Sequence, residues 1–525
     1  MRTKKLALNT ISSLTYQLTA VICGLILPRL ILQAFGTDVN GLVNSITQFL
    51  SIISFLDLGV GSVIQSSLYR PLAVKDFDGV SKIVASGGKF FRKIAYILLG
   101  YITVLSVVYP FINISEFDFG YTALLILSMS ISSFAQYYFG VVDRLLLTAD
   151  QRGYIQYSAQ IITLILNTAA CAVLIHFGGS IQMVKLTTSL IFLLRPIALR
   201  IYVNKKYAIN RKIKYEGEPI KQKWNGMAQH IAAVVLDGTD TIVLTLFSTL
   251  ANVSIYSVYH LVVYNLKNLF LSLTNGFQSL LGELWALQDM ERIRAFFRKV
   301  QWVLHTGCVF FFGCCAILIL PFIQVYTDGI TDANYYQPAF AMLITAANAV
   351  HCLRLPYNIV ILAAGDYKNT QRCYIIAAVL NIVISVVTVF YFGLIGVAIG
   401  TLVALAYQTI WMAIYNSRHL IKGEIKSFAK QIIIDAITVL LMWAATMWID
   451  LISISYLSWF IMALEVAGIS FAVVAAINLI FYRNEIIDIS KFILRKLHKK
   501  KTSAVVATSE SIKTDEEQDI SDGKE

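Results

Sequence analysis

Fourteen apolar stretches run almost end to end along the chain, near 8–33, 40–64, 90–112, 119–142, 154–177, 181–203, 227–249, 253–280, 299–323, 338–364, 371–392, 394–416, 429–449 and 455–481. Crossing a bilayer takes about 20 mostly apolar residues. In hydrocarbon every backbone N–H and C=O must find its partner inside the segment, so stretches of this length fold as helices. Composition agrees: 57% of the 525 residues are hydrophobic and 14% are charged, where soluble domains carry about 25% charged residues. The chain therefore reads as an all-α polytopic membrane protein. Its start, "MRTKKLALNTISSLTYQ", is basic and then apolar, but the apolar run passes residue 30 with no small-residue cleavage site. A first transmembrane helix is expected there rather than a signal peptide.

The connections alternate in charge. "YRPLAVKDFDGVSK", "DRLLLTADQRG", "NKKYAINRKIKYEGEPIKQKW", "ALQDMERIRAFFRK", "GDYKNTQR" and "NSRHLIKGEIK" are basic, whereas "AFGTDVN", "NISEFDFG", "FGGS", "STLANVS", "QVYTDGITDANYYQ", "FGL" and "DLISIS" contain no Lys or Arg. Basic connections stay in the cytoplasm, which places both termini inside. The net charge of +12 then sits opposite anionic headgroups, and no nucleic-acid partner is needed to explain it. After Tyr482, "RNEIIDISKFILRKLHKKK" reads as a basic amphipathic helix on the inner leaflet. The polar, acidic remainder to Glu525 reads as disordered.

The passage around residues 55–76 has an echo. Gln65-Ser66 matches Gln278-Ser279 and Asp76 matches Asp289, both at an offset of 213. Pro110-Phe111-Ile112 matches Pro321-Phe322-Ile323 at 211, Leu166-Asn167 matches Leu380-Asn381 at 214, and Phe177-Gly178 matches Phe392-Gly393 at 215. Six spans separate equivalent points, and an even number preserves orientation. Two parallel six-helix repeats about an axis along the membrane normal are expected, forming N and C lobes around a central cavity. The domains are then 1–204 (N lobe), 205–226 (cytoplasmic linker), 227–417 (C lobe), 428–481 (two added helices) and 483–525 (tail).

A charged side chain near the bilayer centre costs about 2.5–3.5 kcal/mol on insertion scales and normally faces protein or a wet cavity. Helical spacing picks out such faces: Asn9, Ser13, Gln17 and Arg29 in span 1; Thr47, Ser54, Asp57 and Gln65 in span 2; His230, Asp237, Asp240, Thr241 and Thr245 in span 7; Tyr256, His260, Tyr264 and Lys267 in span 8; His351, Arg354 and Asn358 in span 10. Spans 1, 2, 7 and 8 open the two repeats and are the natural cavity walls. Asp57 is tolerable if Arg29 or Lys267 pairs with it; a purely structural ion pair between two helices is the alternative. Lys185 lies near the outer end of span 6, where snorkelling is expected; for Arg195 and Arg354, toward the cytoplasmic ends of spans 6 and 10, snorkelling is the alternative to a functional role. The seven cysteines lie in or beside apolar runs without CxxC spacing, so neither a disulfide framework nor a zinc site is expected.

The segments "LPRLILQAFGTDVNGLVNSITQFLSIISFLDLGVGSVIQSSLYRPLAVKD", "LLLTADQRGYIQYSAQIITLILN" and "LDGTDTIVLTLFSTLANVSIYSVYH", with the order of spans and the repeat, resemble polysaccharide-exporting flippases of the multidrug/oligosaccharidyl-lipid/polysaccharide (MOP) transporter superfamily, over roughly residues 6–420. The resemblance implies a monomeric bacterial cytoplasmic-membrane protein that moves an undecaprenyl-pyrophosphate-linked oligosaccharide outward and works beside polysaccharide polymerase machinery. It implies no cofactor beyond coupling to a proton or sodium gradient. Arg29, Lys267 and Arg354 would grip the pyrophosphate, since guanidinium and ammonium groups match phosphate oxygens. Tyr16, Tyr256 and Tyr264 would stack on sugars. Asp57, Asp237, Asp240, Gln17 and His260 would serve as polar or coupling groups, and the two added helices would cradle the lipid. The rivals are a drug/cation antiporter of the same superfamily, a lipid II flippase, and a membrane glycan polymerase. The polymerase would need a larger outer loop than "QVYTDGITDANYYQ", whose Asp328 and Asp332 are its acid candidates. No GxxxxGK[ST] motif points to an ATP-driven pump.

Overall fold

The computed structural model describes residues 2–53, 60–112, 116–214, 227–422, 425–483 and 485–487. Asp57, most of the 205–226 linker and the tail from 488 lie outside the described residues. Sixteen α-helices follow one another: α1 (Arg2–Ser51), α2 (Val60–Ala73), α3 (Phe77–Val108), α4 (Phe119–Ala135), α5 (Val141–Ala149), α6 (Gly153–His176), α7 (Ile181–Lys206), α8 (Met227–Phe247), α9 (Leu250–Ala286), α10 (Met290–Tyr326), α11 (Pro338–Leu353), α12 (Leu355–Ala364), α13 (Tyr367–Phe392), α14 (Leu394–Tyr415), α15 (Ile425–Thr446) and α16 (Tyr456–Phe481). There is no strand among the described residues. Among the described residues eleven helical segments are long and apolar enough to cross a membrane. At 1.5 Å per residue the 21 residues of α8 also reach about 30 Å, one hydrocarbon thickness.

Each break has a local cause. Within α1, Gly36 adopts φ 84°, which ends one helix and starts the next at Thr37. Between α11 and α12, Pro356 lacks the N–H that would bond back along the helix, and Arg354 occupies the break. Between α4 and α5 the chain makes a π-helical turn, Gln136–Gly140. The α13–α14 hairpin is tight because Gly396 and Gly400 face it. A Cβ on Gly396 would lie 2.3 Å from the Thr388 carbonyl oxygen, and one on Gly400 would lie 2.2 Å from Ser385 Oγ.

The offsets of the sequence repeat reappear in the backbone. Left-handed residues occur at Lys75 and Gln288, at Gln151 and Gly365, and at Gly178 and Gly393, pairs separated by 213, 214 and 215 residues. Asp76 caps α3 through the Gly79 N–H, and Asp289 caps α10 through the Arg292 N–H. Buried apolar side chains form four clusters. One draws on residues 31–209 with Leu250, two on α8–α14 with Leu32, and one on α10 with α15 and α16. Polar pairs fix α15 and α16 to α10: His305 Nδ1 lies 2.6 Å from Asp435 Oδ2, and Trp302 donates to Asn478 Oδ1 at 2.7 Å.

Candidate functional site

Asp237 and Asp240 of α8 and Tyr256, His260 and Lys267 of α9 converge inside the second half, around a cavity of about 70 Å³ lined also by α11, α13 and α14. That volume holds waters or a small ion. Close packing of the α13–α14 hairpin brings Asn381 and Thr401 together (2.9 Å), and Thr401 Oγ1 donates to both oxygens of Asp240, at 2.7 and 2.8 Å. The Tyr256 hydroxyl adds a second donor at 3.1 Å. Lys267 Nζ bonds Asp237 Oδ1 at 2.9 Å; the lysine side chain is 5% exposed and the aspartate 60%. Tyr256, His260 and Tyr264 recur every four residues on α9 and stack in sequence, at 5.3 and 5.2 Å between rings. Arg354 is buried, bonded to Gln408 and 3.3 Å from His351. It therefore turns inward rather than snorkelling, because Pro356 opens the helix at that point. Two cations and two carboxylates share the cavity, so its formal charges cancel.

The first half has a cavity at the matching place, of about 440 Å³, between the second half of α1, α4 with its π turn, and α7. Several lining residues correspond. Thr47 answers His260, Ser133 answers Asn348, Gln136 answers His351 and Thr188 answers Thr401, all at offsets of 213 or 215. Lys185 lines this cavity with Ser51, Ser132, Ser133 and Gln136. The expectation that Lys185 snorkels is corrected: one turn into α7, it faces a polar hollow instead of the membrane surface. It meets no carboxylate among the described residues. Arg195, further along α7, donates to Thr163 Oγ1 at 2.5 Å and lies over the Phe192 ring.

The halves meet along a seam closed at the face free of Lys and Arg. Asp332 caps the helix that restarts at Thr37, accepting from the Thr37 N–H (2.7 Å) and hydroxyl (2.5 Å). Gly36 leaves room for that carboxylate, since a Cβ there would sit 3.0 Å from Asp332 Oδ2. Asn40 donates to Ser254 at 2.7 Å, an equivalent pair 214 residues apart. Gly41 presses on α9 so closely that a Cβ would lie 2.0 Å from the Leu250 carbonyl oxygen. Glu116, in the loop beside this seam, has its carboxyl pushed above the usual range by burial and then by the Asp38 carboxylate. Toward the basic face, side-chain bonds between the halves thin to Gln17 and Ser272, 3.4 Å apart among the described residues.

The three candidate cations are not brought together. Arg29 sits at the seam, where it donates to the Val325 carbonyl (3.0 Å) and to the Tyr456 hydroxyl, with its guanidinium 5.0 Å from the Tyr456 ring. Val325 is in the last turn of α10, whose carbonyls lack helical partners and carry the negative end of the helix dipole. Lys267 and Arg354 share the small cavity. Tyr16 packs on Tyr157, centroids 5.8 Å apart. The sequence reading missed Asn381, Thr401 and Gln408 as partners; polar residues at helical spacing in spans 11 and 12 are the signal that could have found them. Among the described residues no group of three or more His, Cys, Asp or Glu could hold a metal.

The chain matches no protein-family model and no curated protein. Solved structures share its fold. The lipid II flippase MurJ in an inward closed conformation is similar with a TM-score of 0.69 and 16% identity, over 91% of this chain and all of that one. A multidrug resistance MATE family transporter of the MOP superfamily is similar with a TM-score of 0.58 and 14% identity in its inward-facing conformation, over 78% of this chain and 98% of that one. An outward-facing structure described in the same words scores 0.51 at 14% identity, over 81% and 97%. The chain is a multi-pass membrane protein with the helical fold of these flippases and transporters.

Proposed function

We propose that this chain is a flippase that carries an undecaprenyl-pyrophosphate-linked oligosaccharide, a polysaccharide repeat unit, from the inner to the outer leaflet of the bacterial cytoplasmic membrane by alternating access. The reach of the likeness to the lipid II flippase carries the reading. A match over 91% of the chain must extend into α15–α16 even if it takes every other residue, whereas the transporter matches stop near four-fifths. We assign the added pair α15–α16 to the lipid tail. The seam closed at one face is one of the two states that alternating access requires. Both termini would lie in the cytoplasm.

Arg29, Lys267 and Arg354 are the cations we assign to the pyrophosphate, Arg29 once an opening seam frees it from Val325 and Tyr456. Asp240, held by Thr401 and Tyr256, and the Asp237–Lys267 pair are the groups we assign to coupling with protons or sodium. The protein acts as a monomer beside a polysaccharide polymerase. In a strain lacking the protein, one lipid-linked oligosaccharide should accumulate on the inner leaflet, and Arg29→Glu or Lys267→Glu should insert normally without restoring export. An unchanged leaflet distribution with a gain in sensitivity to cationic drugs would favour an antiporter instead.

A further inference from the structure

The cavity of the first half has the size of a ligand pocket, about 440 Å³ against roughly 300–1,000 Å³ for small-molecule sites. It holds a lysine without a counter-charge: Lys185 makes no ion pair and no hydrogen bond among the described residues, and neither do the side chains of Ser132, Ser133 and Gln136 hydrogen-bond there. In the second half the comparable lysine, Lys267, has Asp237 at 2.9 Å. An ammonium at this depth is costly unless something meets it. The π-helical turn Gln136–Gly140 places Gln136 and Tyr137 on the cavity wall, and turns of this kind are frequent at functional sites. Ser51 lines both this cavity and an apolar hollow of about 350 Å³ shared with α8 and α13 of the other half. The cavity therefore adjoins the path between the halves.

We propose that this cavity is a binding subsite for an acidic sugar: Lys185 meets the sugar's oxyanion, while Ser132, Ser133 and Gln136 hydrogen-bond its hydroxyls. The oxyanion is a carboxylate or a phosphate, the two chemistries an ammonium surrounded by hydroxyls accommodates. Naming this sugar as part of the cargo rests on the flippase reading; its binding does not. The cargo class that follows is an anionic glycan whose acidic sugar is met in the first half.

The test uses the full-length protein in lipid nanodiscs and ligand-observed saturation-transfer NMR with glucuronate, a glucose phosphate and glucose. Glucuronate or the glucose phosphate should bind about tenfold more tightly than glucose, the equivalent of one modest charge pair. Lys185→Met should reduce the acidic sugar to the level of glucose, and Lys185→Arg should retain the preference. Which of the two acidic sugars shows the dependence on Lys185 identifies the oxyanion. If Lys185→Met fails to insert, the Ser132→Ala/Ser133→Ala double variant should weaken all three sugars alike. Equal binding of glucose and both acidic sugars, a preference that survives Lys185→Met, or sugar binding that the serine pair does not weaken, overturns the proposal. Because no lipid carrier is present, the assay fails or succeeds independently of the flipping experiment.

Discussion

The two cavities occupy matching positions in the two halves, on helices related by the same 213–215-residue offsets, yet they treat charge in opposite ways. In the second half, Arg354 and Lys267 share about 70 Å³ with Asp237 and Asp240, with Lys267 paired to Asp237, Asp240 held by Thr401 and Tyr256, and Arg354 bonded to Gln408. In the first half a single lysine faces hydroxyls across about 440 Å³. Backbone features recur at these offsets, and each half has a cavity on the helices they bound. The side chains that line it then decide whether it is a closed electrostatic unit or a space waiting for an ion from outside. A compensated network resists change by coupling its members, and a lone charge is free to select a ligand.

The largest expected effect comes from breaking the compensated side. Asp237→Asn leaves the ammonium of Lys267, 5% exposed, without a counter-charge. Orphaning a buried ion costs about 3–5 kcal/mol, and the lower end applies because Asp237 itself is 60% exposed. Lys267→Met strands only that solvated carboxylate and should cost about 1 kcal/mol or less. The double variant should recover most of the loss. Denaturation midpoints in detergent measure all three, and a Lys267→Met variant as unstable as Asp237→Asn would refute the assignment of the burden to the lysine.

Next in size is the seam that joins the halves. Asp332→Ala removes a cap worth about 1–2 kcal/mol from the helix starting at Thr37. Since 1.4 kcal/mol is a tenfold change in population, distances between spin labels at Val39 and Asn252 should shift toward a separated distribution by roughly that factor. Unchanged distances would mean that the close contact of Gly41 with α9 holds the seam without the carboxylate.

A smaller effect, of opposite sign, is expected on the uncompensated side. Lys185→Met removes an unpaired ammonium from membrane depth and should raise the denaturation midpoint slightly, by the equivalent of 0 to about 1 kcal/mol. A clear loss of stability would show that Lys185 is held by a partner, and the contrast between the halves would disappear.

The helical fold was legible because hydrocarbon leaves the backbone no other choice, and turn residues such as Asp76 and Asp289, which carry the expected repeat, keep equivalent caps. The membership of the small cavity was half legible. Asp237, Asp240, His260 and Lys267 stand out as polar residues in apolar spans, but Asn381 and Thr401 look like ordinary helix residues until the Gly396–Gly400 face draws α13 and α14 together. Arg29 was legible as a charge and not as a clasp, since its partners Val325 and Tyr456 lie about 300 and 430 residues away in sequence. Lys185 was misjudged from its nearness to a helix end. Distance along the helix does not say whether the neighbouring helices leave a hollow, and here the π turn after Ala135 lines one.

The smallest expected effect is on pH dependence, and it asks whether the seam acts apart from both cavities. The acidic groups around the seam loop are Asp38, Glu116 and Asp332, with the Tyr109 and Tyr335 hydroxyls among them. The raised carboxyl of Glu116 means that the closed seam holds this proton more tightly than an opened, solvated one. Closure is therefore favoured at pH values below the ordinary carboxylate range, and that contribution is lost as pH rises through the raised value. Between pH of about 4 and about 7, on either side of a normal glutamate near 4.3, the label distances across the seam should lengthen modestly, and Glu116→Gln should flatten the slope. Lys185→Met and Asp237→Asn should leave it unchanged, because neither side chain reaches the loop. If either variant also flattens it, protonation at the seam and charge in that cavity belong to one coupled system, and the halves could no longer be treated as two separately tuned copies of one bundle.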